Sequence, residues 1–221
     1  MTKIKKDHLV RKQSGSPRPA KRRRIALALT GASGLPYAMR LGQMLIEADV
    51  EIWLLYSQAA RNVARQEIDL TIPTQPEAAQ RLFSERWKTK KDQLHVFAND
   101  DWNAPITSGS NPADAYVICP CTMGTLARVA SGLADDLISR AADVMLKEKK
   151  LVILVPRETP LSGIHLRNML CVTHAGAIIL PPCPGFYFRP LSVEDLVDFV
   201  VARILDQLEI SHSLLPRWGH T

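Results

Sequence analysis

The sequence predicts a single α/β domain built on a parallel sheet with helices on both faces. Three observations carry this. Short segments of strand length alternate with helix-patterned segments from residue 25 to residue 208, the order of a doubly wound sheet. The strand-like segments are apolar at nearly every position, as strands covered on both faces are. Two of them run straight into loops of small and hydroxyl residues that open helices: 25–29 into Thr30-Gly31-Ala32-Ser33-Gly34, and 115–119 into Pro120-Cys121-Thr122-Met123-Gly124-Thr125.

Residues 25–29 form the first expected strand. A helix over 35–48 follows, with Ala38, Leu41, Leu45 and Ala48 at helical spacing. The second strand, 50–55, ends at Tyr56-Ser57, and Ser57 caps a helix running to Gln66. The pattern then loosens into a charged helix over 77–88, a short strand over 94–97 and a polar loop over 99–112. A buried strand over 115–119 leads through the second hydroxyl-rich loop to a helix over 135–147. The strand over 151–155 ends in Pro156-Arg157-Glu158-Thr159-Pro160. Residues 163–175 read as a helix, 177–180 as a strand, and 192–208 as a helix opened by a capping box of Ser192 and Asp195. Right-handed crossovers put every strand-to-helix loop on one sheet edge. That gathers 31–34, Ser57, 121–125, 157–160 and 181–190 around one crevice. The expected organisation is a basic tail over 1–23, one domain over 24–210 and a C-terminal tail over 211–221.

At 221 residues and 46% hydrophobic content the chain can bury one substantial core. No apolar run approaches the roughly 20 residues of a membrane-spanning helix, so no membrane partner is expected. The net charge of +6 is unevenly spread: residues 1–24 hold ten Lys or Arg against Asp7 alone, which leaves the rest of the chain at −3. The tail contains Ser14-Gly15-Ser16-Pro17, which disfavours regular structure, and it lacks the apolar stretch of a secretory signal. It reads as a solvated extension. Contact of 21–24 with nucleic acid or another acidic surface and a transit-peptide role are the alternatives, and no nucleic-acid partner is expected. Cys119 at a strand end, Cys121 in a loop, Cys171 and Cys183 lack metal-site spacing. No metal is expected, and the thiols fit a reduced, cytoplasmic protein.

Strand ends carrying glycine, serine and threonine offer backbone N–H groups, hydroxyls and a helix N-terminus, a combination suited to phosphate. Two on one edge point to a nucleotide-type ligand at the switch point of the sheet. Gly31-Ala32-Ser33-Gly34 is not a GxGxxG fingerprint, and strand two ends in Ser57 rather than an acidic residue that would hold a ribose. This favours a single phosphate, as in FMN, over NAD. The alternative for 31–34 is a tight turn that needs glycine, and for Thr122 and Thr125 simple helix capping. Arg140 sits in the core-like run Ser139-Arg140-Ala141-Ala142-Asp143 and needs a partner or an anionic ligand. Lys147 fits a solvated helix end, and Arg157-Glu158 a local ion pair, unless a ligand calls on them. Residues 181–190, with Phe186-Tyr187-Phe188 braced by prolines, read as a hydrophobic plug or as a lid over an aromatic or isoprenoid group. Met39, Met44 and Met169 read as core, and His165 and His174 have no catalytic partner in the sequence.

Taken together these stretches resemble the UbiX-type flavin prenyltransferases, formerly described as 3-octaprenyl-4-hydroxybenzoate or phenylacrylic acid decarboxylases. The resemblance covers about residues 24–218. It rests on Thr30-Gly31-Ala32-Ser33-Gly34, Ser57-Gln58-Ala59-Ala60-Arg61, Ser108-Gly109-Ser110, Pro120 through Thr125, Ser139 through Val144, Arg157-Glu158-Thr159-Pro160-Leu161, and Pro181-Pro182 through Arg189-Pro190, all in the family's order. It implies a flavodoxin-like homo-oligomer, commonly a dodecamer. Such an enzyme joins the dimethylallyl group of dimethylallyl phosphate to N5 and C6 of reduced FMN, giving prenylated FMN for UbiD-type decarboxylases. By the resemblance, Gly31, Ala32, Ser33, Ser57, Thr122, Thr125 and Arg157 contact FMN, with Met123 and Gly124 between the threonines. Arg140, Lys147, Tyr187 and Arg203 hold the prenyl phosphate, some from a neighbouring subunit. Ser33 and Glu158 handle protons, Glu67 lies near the flavin, and Trp218 matches a C-terminal tryptophan. Thr122 stands where the family usually has serine, and Asp136 where asparagine is frequent. The alternatives are an FMN-dependent oxidative decarboxylase of the cysteine-peptide type and a flavin carrier. Neither needs the cations Arg140, Lys147 and Arg203 beside an Arg157-Glu158 pair.

Overall fold

The computed structural model describes residues 22–216 and residue 219. Most of the expected basic tail, and Trp218, lie outside the described residues. The described chain forms β1 (Arg24–Leu29), α1 (Leu35–Glu47), β2 (Glu51–Tyr56), α2 (Gln58–Ile68), α3 (Pro76–Trp87), β3 (Leu94–Phe97), β4 (Ala115–Cys121), α4 (Met123–Ala130), α5 (Leu137–Lys147), β5 (Leu151–Pro156), α6 (Gly163–His174), β6 (Ile178–Ile179) and α7 (Val193–Gln207). The six strands make one sheet in the order β3-β2-β1-β4-β5-β6, every pair parallel. The expected doubly wound sheet is therefore present. Its strand order reverses between β1 and β4, where this architecture places its ligands.

The alternation of side chains along the strands divides the core. Ile25, Leu27 and Leu29 of β1 face α1, α2, α3 and α7, while Ala26 and Ala28 face α4, α5 and α6. All six β1 residues and all seven of β4 are buried, which is why these segments read as unbroken apolar runs. Tyr116 of β4 is fully buried and donates its hydroxyl to Ile138 O at 3.0 Å, so its polar tip is satisfied. Gly42 of α1 is needed for close approach, because a Cβ there would sit 2.2 Å from the Trp87 ring.

Most expected boundaries move by one or two residues, and three differences bear on the sheet edge. β4 runs on through Pro120 to Cys121, with a register irregularity between Ile118 and Cys121, so Cys121 is a buried strand residue and not a loop residue. α5 begins at Leu137, because Asp136 is its N-cap: the carboxylate accepts from Ser139 N at 2.7 Å. The loop over 99–112 contains a 3-10 turn at Pro105–Thr107. The capping box of Ser192 and Asp195 opens α7 as the sequence indicates.

Burial raises the acid pKa values of three interior groups. The Cys121 thiol is pushed up to about 12 from an ordinary 9.0, Cys119 is raised as well, and Tyr116 is raised well above 10.0. The unfolded chain therefore releases these protons before the folded one does. Their contribution is fully present below about pH 9 and is lost as pH rises toward 12. Thermal unfolding between pH 8 and 11 should show a Tm that falls steadily with pH. A flat profile would contradict the burial of these groups.

Candidate active site

The site is assembled at the carboxyl edge of the sheet by hydrogen bonds between neighbouring loops. Thr30, 1% exposed, follows β1. Its hydroxyl donates to Pro120 O at 2.7 Å, and Thr122 N donates to that same hydroxyl at 2.9 Å. Thr30 N also donates to Pro120 O, at 3.2 Å. On one side Ser57 N donates to Leu29 O at 3.0 Å; on the other Arg157 N donates to Cys121 O at 3.3 Å. The loops after β2, β1, β4 and β5 are thus joined side by side, and they carry Ser57, Gly31–Gly34, Thr122–Thr125 and Arg157-Glu158 into one crevice.

Each member has a local reason for its position. Gly31 packs so tightly on α2 that a Cβ would lie 2.4 Å from Ala59 Cβ. Gly34 adopts φ 122 as the N-cap of α1, a conformation glycine takes without penalty. Ser57 caps α2 by accepting from Ala60 N at 3.1 Å. Thr122 caps α4, accepting from Thr125 N at 3.0 Å, and the two threonine hydroxyls are 2.9 Å apart. Capping and display of hydroxyls are therefore one arrangement. Met123 and Gly124 open α4, and first-turn N–H groups have no intrahelical acceptor. A Cβ built on Gly124 would meet Arg128 Nη1 at 3.7 Å and Thr122 Oγ1 at 3.8 Å, ordinary van der Waals contacts. Ala32 is buried, and Ser33 and Glu158 are exposed, with Glu158 accepting from Thr159 N at 3.0 Å. Arg157 Nε is buried with no hydrogen-bond partner. A donor left so is costly unless a ligand answers it. A cavity of about 330 Å³ opens beside this edge, lined by Tyr56, Gln58, Arg61, Asn99, Trp102 and Asp136 among others.

Glu67 has a specific placement. From the last turn of α2 its carboxylate accepts from Gly34 N at 3.0 Å and Leu35 N at 2.9 Å, so it caps α1 from another helix and complements the positive helix end. Two of the N–H groups that the sequence offered for an anion at α1, those of Gly34 and Leu35, are taken by Glu67. Thr30 was not among the candidate site residues, although its clamp holds two loops together. A hydroxyl at the end of the first buried strand is the signal that points to it.

The remaining cations make contacts of their own within the chain. Arg140, in the first turn of α5, donates to Thr107 O at 3.2 Å and to Asp143 at 2.8 Å. Lys147, in the last turn of α5, pairs with Glu148 beside Gly109. Arg203 lies on α7, across the sheet from α5, and donates to Asp206 Oδ2 at 2.8 Å. Tyr187 is exposed, edge-on to Phe199 of α7 at 5.9 Å, and Phe199 stacks on Phe188 at 5.3 Å. The aromatic segment is therefore anchored on α7 with Phe186 and Tyr187 outward, and it does not plug the sheet edge. Among the described residues, no group of three or more His, Cys, Asp or Glu could hold a metal, and no helix is long and apolar enough to cross a membrane.

A doubly wound fold with an unanswered arginine donor and two hydroxyl-bearing helix starts at its switch point defines a binder of nucleotide-type anions. Comparison with known proteins narrows the class: the Flavoprotein family model matches residues 13–205. A flavin prenyltransferase UbiX of Pseudomonas aeruginosa is 52% identical over 196 residues, covering 89% of this chain and 94% of that one. The crystal structure of AnUbiX (PadA1) in complex with FMN and dimethylallyl pyrophosphate matches with a TM-score of 0.80 at 43% identity, over 91% of this chain and all of that one. A dodecameric FMN-dependent UbiX-like decarboxylase from Escherichia coli O157:H7 matches with a TM-score of 0.78 at 39% identity, over 89% of this chain and 99% of that one. The chain belongs to the UbiX family of flavin prenyltransferases, which are transferase enzymes.

The Glu67 cap makes a stability prediction. Glu67→Ala removes the acceptor for Gly34 N and Leu35 N and should cost roughly 1 kcal/mol, about 2–4 °C in Tm for a chain of this size. Calorimetry of the two proteins measures it, and equal Tm values would show that the cap contributes nothing.

Proposed function

We propose that this chain transfers the dimethylallyl group of dimethylallyl phosphate to N5 and C6 of reduced FMN, and that the prenylated FMN serves a UbiD-type decarboxylase. The observation that carries the proposal is Arg157 Nε, buried and unpartnered beside the joined loops, next in sequence to an exposed carboxylate. Reduced FMN supplies two nucleophilic atoms, N5 and C6. The residues suited to hold it are Gly31, Ala32, Ser33, Ser57, Thr122, Met123, Gly124, Thr125 and Arg157.

Arg140, Lys147, Tyr187 and Arg203 grip the donor's phosphate and neutralise the charge that grows as the carbon–oxygen bond breaks. Glu158 receives the proton lost at C6 and Ser33 assists it, since a positioned carboxylate within hydrogen-bond reach can take a proton as it is released. Glu67 keeps the loop over 31–34 in place at the flavin. An oxidative decarboxylase of the cysteine-peptide type would have no use for a second phosphate grip, so the transferase reading is preferred. The four unpaired thiols suit a reducing, cytosolic setting.

The donor grip calls for more than one subunit, because Arg203 and the pair Arg140 and Lys147 lie on opposite faces of the sheet. The surface offers a contact for this. On α6 only Val172 is buried, while Ile164, Leu166 and Leu170 are exposed, as are Leu161 just before α6 and Leu133 just after α4. Exposed apolar side chains gathered on one helix and its flanks mark an interaction surface. We propose a homo-oligomer, with the dodecamer of the E. coli relative as the expected form.

Anaerobic incubation with reduced FMN and dimethylallyl phosphate, followed by mass analysis of the flavin, tests the proposal. The wild type should add a five-carbon unit to the flavin. Glu158→Gln should bind FMN with unchanged affinity and slow conversion by about 10²-fold or more, the usual contribution of a proton acceptor. Unmodified flavin from the wild type would reject the transferase reading.

A further inference from the structure

The segment that follows α7 contains a buried titratable side chain that the proposed chemistry does not use. His212 is only 2% exposed at its side chain. Its Nε2 lies 3.2 Å from Asp206 Oδ1. The other oxygen of that carboxylate, Oδ2, accepts from Arg203 Nη1 at 2.8 Å. His212 Nδ1 is buried and has no hydrogen-bond partner. Burial deepens along the chain of contacts, with side-chain exposure of 53% at Arg203, 16% at Asp206 and 2% at His212.

The backbone is shaped to bring His212 back onto its helix. Ile210 N donates to Leu205 O at 3.0 Å. Glu209 takes a left-handed φ of 54, and Ile210 and Leu214 pack against the core on either side of the histidine. Arg23 donates to Leu208 O from the opposite terminus of the described chain. A histidine returned to its helix, with one nitrogen spent on a carboxylate and the other unanswered, gains nothing from solvent. Its contact with Asp206 is the interaction that explains its place.

The physical effect falls on Arg203. An exposed i, i+3 ion pair contributes little by itself and leaves a long side chain free to sample rotamers. Fixing the carboxylate from behind removes part of that freedom. With Asp206 held on Oδ1 by His212, one edge of the Arg203 guanidinium is committed to Oδ2. The remaining N–H groups of its rigid fork then point in one direction.

We infer that His212 and Asp206 are positioning residues that orient Arg203 toward the phosphate of the prenyl donor, an inference that rests on the donor-phosphate role proposed for Arg203. Neither residue touches substrate in this account. They act on how well the donor is gripped and not on how FMN is held.

The test is steady-state prenylation by the full-length protein, with dimethylallyl phosphate varied at saturating reduced FMN. FMN affinity and Tm are measured alongside. His212→Ala should raise the KM for dimethylallyl phosphate about tenfold, with a much smaller change in kcat and none in FMN affinity. His212→Gln, whose amide can still donate to Asp206, should restore most of the loss. In an Arg203→Ala background His212→Ala should add less than a twofold change, because the two act through one grip. Should His212→Ala fail to fold, Asp206→Asn takes its place in the same comparison with the same expectation. Equal KM values in wild type and His212→Ala, or a His212→Ala effect undiminished in the Arg203→Ala background, would overturn the inference while leaving Arg203 in its role. An Arg203→Ala protein with unchanged donor KM would remove that role, and the inference with it.

Discussion

One buried hydroxyl determines where the rest of this molecule can act. Thr30 Oγ1 donates to Pro120 O and accepts from Thr122 N, and it joins two chain segments 90 residues apart. The sheet order brings β1 and β4 side by side, but parallel neighbours diverge where their loops begin, and nothing in the ladder itself holds those loops together. The Thr30 clamp does. Because Thr122 is fixed at its backbone, its side chain can cap α4, and the α4 start faces the same crevice as the loop over 31–34. Arg157 N bonded to Cys121 O extends the same order one strand further. Four strand ends thereby act as one surface.

That surface is prepared for an anion. Arg157 Nε is buried without a partner, whereas each cation assigned to the donor has a carboxylate of its own: Arg140 with Asp143, Lys147 with Glu148, Arg203 with Asp206. Each carboxylate offsets the charge of its cation until a phosphate competes for it. With the donor roles proposed for these cations, their separation by the sheet calls for more than one subunit. The apolar, exposed α6 suits that requirement on the same molecule.

The alternation of buried strands and helices was legible because burial on both faces writes unbroken apolar runs such as Ile25–Leu29, and because Ser57, Thr122 and Ser192 are local caps whose partners lie three residues on. The hydroxyl loops at the switch point were legible for the same reason, since composition and order alone place them at strand ends. What stayed hidden depends on distant contacts. Glu67 reaches across 33 residues to Gly34, and no period or spacing marks it. The extension of β4 through Pro120 and Cys121 comes from pairing with β5, against the tendency of proline to end a strand. The placing of Arg140 and Arg203 on opposite faces follows from the crossover of each helix, which a list of basic residues does not disclose. His212 looked like an ordinary tail residue until the chain turned it back on α7.

The Thr30 hydroxyl ties together the loops that form the crevice. Thr30→Val keeps the side-chain shape and removes the hydrogen bonds, leaving Thr122 N without its acceptor. Fluorescence titration of FMN into the folded variant and the wild type is the direct measurement. Loss of the clamp should weaken binding about tenfold or more, given the roughly 1–3 kcal/mol attached to a buried unsatisfied donor. Equal FMN affinity in a folded Thr30→Val protein would show that the two loops find their places without it.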